Sequence, residues 1–121
     1  MEKYELESYA VSLISEGDQE ALRPVAIIHA RTSVKALVVA QVYLRYYRSG
    51  VELPANSCVE NEDGSRMFMV SFPYEHFAAA VDLLRNETPM FFMYNNKRKT
   101  AYLATSDEPV GEGEKDADFR S

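Results

Sequence analysis

The sequence predicts an α+β fold: one domain with a central, mostly antiparallel sheet of about five strands built from hairpins, and two or three helices packed on one face. Three observations carry this expectation. Two apolar pairs of segments flank turn-forming residues, two further segments space their apolar residues as helices do, and the chain has 121 residues, 46% of them hydrophobic. A chain of that size buries about two-thirds of its unfolded surface around one core without needing a metal or a disulfide.

Taken in order, Glu2 to Glu16 fits two elements. As a helix it gathers Leu6, Tyr9, Ala10, Leu13 and Ile14, with Gly17 as a stop. As a strand it places Tyr9, Val11 and Leu13 on one face and pairs, through a loop from Glu16 to Arg23, with the next segment. That segment, Val25 to Arg31, follows Pro24, is rich in Val and Ile, and reads as a strand.

Ser33 to Ser49 is the expected central helix. At about 100° per residue Gln41, Arg45 and Arg48 form one polar stripe, while Val39, Val42, Tyr43, Tyr46 and Tyr47 spread around the rest. Thr32 or Ser33 supplies an N-cap and Gly50 a left-handed stop. A strand competes, since Val and Tyr favour strands, but about 17 residues is some three times an ordinary strand.

Ser57 to Glu60 and Arg66 to Phe72 form a hairpin around Asp63-Gly64. Pro73 opens a one-sided helix to Glu87, with Phe77, Ala80, Val81 and Leu84 on its apolar face. Met90 to Tyr94 and Thr100 to Thr105 form a second hairpin, whose Asn95-Asn96 pair tolerates left-handed backbone and whose Lys97, Arg98 and Lys99 reach solvent. The globular domain is expected to span 1–105, and 106–121 reads as a flexible acidic tail.

The net charge of −6 argues against a general nucleic-acid binder, but it is unevenly spread. From Glu2 to Glu20 there are six acids and one base; from Ser106 to Ser121, six acids and two bases; between them, ten bases and seven acids. Acidic ends keep such a chain in solution, or screen a basic surface until a partner displaces them. The single cysteine, Cys58, forms no internal bridge, and no apolar run is long enough to span a bilayer, so a cytoplasmic location is expected.

Catalytic chemistry is sparse. Cys58 with His29 or His76 is the one conceivable thiol–imidazole pair, and nothing in the sequence around Cys58 favours a thiolate. No ligand spacing suggests zinc or calcium and no glycine loop cradles a phosphate, so neither metal nor cofactor is expected.

The leading functional expectation is a non-catalytic protein-interaction module, an adaptor or an inhibitor of another protein, that acts as a homodimer. Val39, Val42, Tyr43, Tyr46 and Tyr47 are its candidate interface residues. The main alternative is binding of a nucleotide, another phosphorylated ligand or single-stranded nucleic acid through Arg31, Arg45, Arg48, Lys97, Arg98 and Lys99. A small cysteine-dependent enzyme is a more remote alternative.

Overall fold

A computed structural model describes residues 1–15, 22–35 and 37–105. Among them are eight strands: β1 (Glu2–Glu5), β2 (Ser8–Leu13), β3 (Ala26–Val34), β4 (Leu37–Tyr47), β5 (Ser57–Glu60), β6 (Arg66–Pro73), β7 (Met90–Asn95) and β8 (Thr100–Thr105). A turn of 3-10 helix, Tyr74–His76, leads into the helix α1 (Phe77–Asn86). The strands form two sheets, one ordered β2-β3-β4-β6-β5 and the other β1-β7-β8. The expected two or three helices on a single sheet are therefore replaced by one helical segment and a second sheet.

The central helix is the principal correction. Ser33 to Ser49 is the end of β3, a tight turn with Lys35 at φ 52°, and the long strand β4. Gln41 and Arg45, four apart, fit a helical stripe and one face of a strand equally well. The alternation of Ala40, Val42, Leu44 and Tyr46 with Gln41, Tyr43 and Arg45 decides for the strand. The first set is at most 1% exposed and the second is half-buried. β4 is long because it is paired on both sides, antiparallel to β3 and parallel to β6. A register shift at Thr32/Ser33 leaves Val39 as the extra residue of a bulge.

Four other boundaries hold. β5, β6, β7 and β8 lie where the sequence puts them, to within one residue, and Gly64 takes φ 89° in the β5–β6 turn. β3 instead runs three residues past Arg31, and the helical segment opens as a 3-10 turn, so that α1 itself starts four residues after Pro73. In the β7–β8 turn, however, Lys99 rather than an asparagine takes the left-handed conformation, at φ 55°. Asn95 Oδ1 instead accepts from the backbone N–H groups of Lys97 and Arg98, at 3.0 and 3.2 Å. The expected sheet is also regrouped: β7 and β8 leave it for the second layer, and β2 and β4 take their places.

Glu2 to Leu13 is extended, and it changes sheets midway. β1 pairs with β7, Leu6 N–H still donates to Met90 C=O, and β2 pairs with β3. The Thr32 hydroxyl donates to Glu5 C=O and fastens the crossing point to β3. The second sheet and α1 both pack on the inner side of the first. Ile28, Val42, Leu44, Phe68 and Val70 meet Phe92 and Tyr94 there, and Phe77, Val81 and Leu84 pack alongside. The expected tail, 106–121, lies outside the described residues.

Candidate interaction surface

Since side chains alternate along a strand, the pairing register fixes what the opposite, outer face of the five-stranded sheet carries. One row across it is Ser8, Arg31, Gln41, Met67 and Val59. The next is Ala10, His29, Tyr43, Met69 and Ser57, and the third is Ser12, Ile27, Arg45 and Ser71. None of these residues is buried, so no described element covers this face. Tyr47, further along the same side of β4, is buried.

The middle of the face is ordered by its own contacts. The His29 and Tyr43 rings stack at 4.3 Å with 8° between their planes, and His29 Nε2 lies 2.9 Å from Gln41 Oε1. Arg45 reaches Ser71 Oγ at 3.4 Å and lies over the Tyr47 ring, while its buried Nε has no partner. The three rows hold two arginines and no carboxylate, in a chain whose net charge is −6.

The candidate interface residues divide accordingly. Tyr43 and Val39 are half-buried, whereas Val42 and Tyr46 belong to the core and Tyr47 is buried. As core residues these three offer a partner no surface. Their spread around a helical circumference had suggested otherwise, and the strand removes that argument.

The candidate ligand-binding cations do not converge. Arg31 and Arg45 share the outer face but stand four residues apart in register, about 13 Å. Arg48 follows β4 and lines a cleft of about 480 Å³ with Leu13, Ile14, Val25, Ser49 and Tyr74. Lys97, Arg98 and Lys99 sit at the hairpin tip of the other sheet. A further cleft of about 390 Å³, between α1 and Leu103, is largely apolar, with His76 among its lining residues.

A polar cluster that sequence reasoning missed joins the two sheets. Glu2 accepts from Arg66 at 2.6 Å, from Asn96 at 2.8 Å and from the Tyr4 hydroxyl at 2.7 Å. Burial alone would raise the Glu2 carboxyl, but the hydrogen bonds from Asn96 and Tyr4 and the charge of Arg66 outweigh it and hold the group below its ordinary value. Burial first, and then Glu2, push the Tyr4 phenol up to about 12. No spacing rule links positions 2, 66 and 96, so the sequence held no local signal for this cluster.

Cys58 borders that cluster, and burial raises its thiol despite the nearby Arg66. That is the reverse of what a nucleophilic thiolate requires. Cys58 faces inward on β5 while His29 faces outward on β3, with β6 and β4 between them, about 14 Å across the sheet. Among the described residues no group of three His, Cys, Asp or Glu side chains is placed to hold a metal ion, and no helix is long and apolar enough to cross a membrane.

Comparison with protein-family models, with curated proteins and with solved structures finds no match.

Proposed function

We propose that this protein is a small, non-catalytic protein-interaction module of the cytoplasm, an adaptor or inhibitor that acts as a homodimer and engages another protein through the outer face of its five-stranded sheet. One observation carries the reading. The face is covered by no described element and presents Ile27, Met67, Met69 and the stacked His29–Tyr43 pair between Arg31 and Arg45, with no carboxylate among the rows. Methionine repacks easily against varied shapes, and uncovered apolar area of this kind marks interaction sites. The matching partner surface is apolar at its centre and acidic at its rim.

Affinity capture with the wild-type chain and with the folded Tyr43→Glu variant tests this. The expected result is at least one protein retained by the wild type and lost by the variant, whose purified form then binds in a 1:1 ratio per chain and weakens with salt. Identical sets captured by both chains would overturn it. A thermal-shift screen with nucleotides addresses the ligand alternative, since saturation at about 100 times Kd would add about 2.7 kcal/mol of stability. No shift is expected.

A further inference from the structure

We infer that the second copy of the chain joins at the free edge of β2, so that two β2 strands pair antiparallel about a two-fold axis at Val11 and fuse the two five-stranded sheets into one. The inference rests on the homodimer of the proposed function and assigns its contact to a surface separate from the outer face.

Among the described residues the edge is unprotected. β2 is the terminal strand of its sheet, all six of its residues are exposed, and Ser8 to Ser15 contains no charge and no proline. Proteins ordinarily guard such an edge with lysine, proline or a bulge, because its free N–H and C=O groups are a template for another strand. Leu13 is 72% exposed and Val11 41%, on the side that faces the core further along the sheet.

The hydrogen-bond phase points outward at the right residues. Ile14 N–H donates to Val25 C=O in continuation of the β2–β3 register, so Ser12 and Ala10, at alternate positions, also turn their backbone groups toward β3. Tyr9, Val11 and Leu13 therefore turn theirs toward the open edge. When Val11 is opposite the partner subunit's Val11, Tyr9 comes opposite the partner subunit's Leu13. All three are then narrow, doubly bonded pairs, giving about six new hydrogen bonds.

Side chains agree with that register. Tyr9, Val11 and Leu13 form one continuous apolar face across the junction, and Ala10 and Ser12 line the other. Two clefts flank β2 on the apolar side. One, of about 310 Å³, is lined by Leu6, Tyr9, Leu84 and Met90 together with Glu5, Glu7 and Glu87; the second is the cleft at Leu13, Ile14 and Tyr74. The two-fold axis carries the partner subunit's Leu13 toward the first and its Tyr9 toward the second. Because the paired segment is neutral, a second copy approaches it without like charges meeting in the ladder, whereas the net charge of −6 opposes most other self-contacts. An antiparallel pair about one axis uses up the β2 edge of both copies, so association through this edge stops at two.

The test is sedimentation equilibrium of the full chain, with amide-resolved hydrogen exchange at low and high protein concentration. The wild type is expected to be a dimer whose Tyr9, Val11 and Leu13 amides are protected at high concentration alone, while those of Ala10 and Ser12 are protected at both. Val11→Lys, which places a charge at the axis, should weaken the dimer about a hundredfold and keep the β-sheet circular dichroism. Tyr43→Glu should leave the dimer intact while abolishing partner capture. A wild-type monomer at every concentration would overturn both this inference and the dimer of the proposed function, leaving the outer-face reading to its own test. A dimer with no concentration-dependent protection at Tyr9, Val11 and Leu13, or one that a folded Val11→Lys chain retains, would overturn this inference alone.

Discussion

The two faces of the five-stranded sheet share one backbone and differ in almost everything the side chains do. On the inner face Ala26, Ile28, Ala30, Val42, Leu44, Phe68 and Val70 are 0 to 1% exposed, and the second sheet and α1 cover them. On the outer face His29, Gln41, Tyr43, Arg45, Met67 and Met69, one residue along from these on the same strands, are half-buried and contact mainly one another. Stability therefore resides inside, and the recognition proposed above is left to the outside. A substitution should cost the fold according to which way its residue points, far more than according to its size or its position in the chain.

The largest effect is expected at Phe68. Its ring centroid lies 5.6 Å from that of Tyr4, 5.0 Å from Phe92 and 5.1 Å from Tyr94, so it holds the two sheets together at their centre. Phe68→Ala removes those contacts and leaves a cavity that the β-ladder cannot close. The expected loss is about 3 to 5 kcal/mol by chemical denaturation, a large part of what a domain of this size has. A cost near that of an outer-face substitution would contradict the division between the faces.

A smaller, pH-dependent effect belongs to the rim of the inner layer. Glu2 is the charged end of the cluster joining β1, β6 and the β7–β8 turn, with about a fifth of its side chain exposed. Glu2→Gln should cost about 1 kcal/mol near neutral pH, discounted for that exposure. Because the folded-state carboxyl lies below its ordinary 4.5, its contribution is whole above that value and is lost as the pH falls through the folded value. Wild type and variant should thus converge in acid. At the alkaline end Tyr4, raised to about 12, contributes stability that is whole below pH 10 and lost between 10 and 12.

The faces also explain what the sequence could and could not disclose. Hairpins with a local punctuation mark, Asp63-Gly64 and Asn95-Asn96, were legible, as was α1 with Pro73 before it and apolar spacing within it. The β3–β4 hairpin was not, because its turn at Lys35 carries no glycine, asparagine, aspartate or proline, and because 41, 45 and 48 satisfy a helical stripe by coincidence. Losing that turn merged a strand, a bulge and a second strand into one helix, and with it went the face of every residue on β4. Arg31 and Arg45 were picked out for charge and do lie on the open face. His29 and Met69, which flank Tyr43 there, needed the register to be known.

The smallest expected effect tests whether the outer face is preorganised or merely exposed. His29 and Tyr43 are direct cross-strand neighbours, and two flat rings stacked at 4.3 Å with 8° between planes restrict each other's rotamers. Each ring is half-buried, so Tyr43→Ala alone should cost about 1 kcal/mol or less, and His29→Ala a similar amount. The informative quantity is the coupling in a double-mutant cycle, which removes the area each ring buries separately and leaves the contact between them. Aromatic pairs of this kind couple by about 0.5 to 1.5 kcal/mol. A coupling in that range means that the centre of the face is held in one arrangement before any partner arrives, which lowers the ordering cost of association. A coupling of zero in folded variants would mean that the rings are independent in solution, and that the face meets its partner by rearrangement.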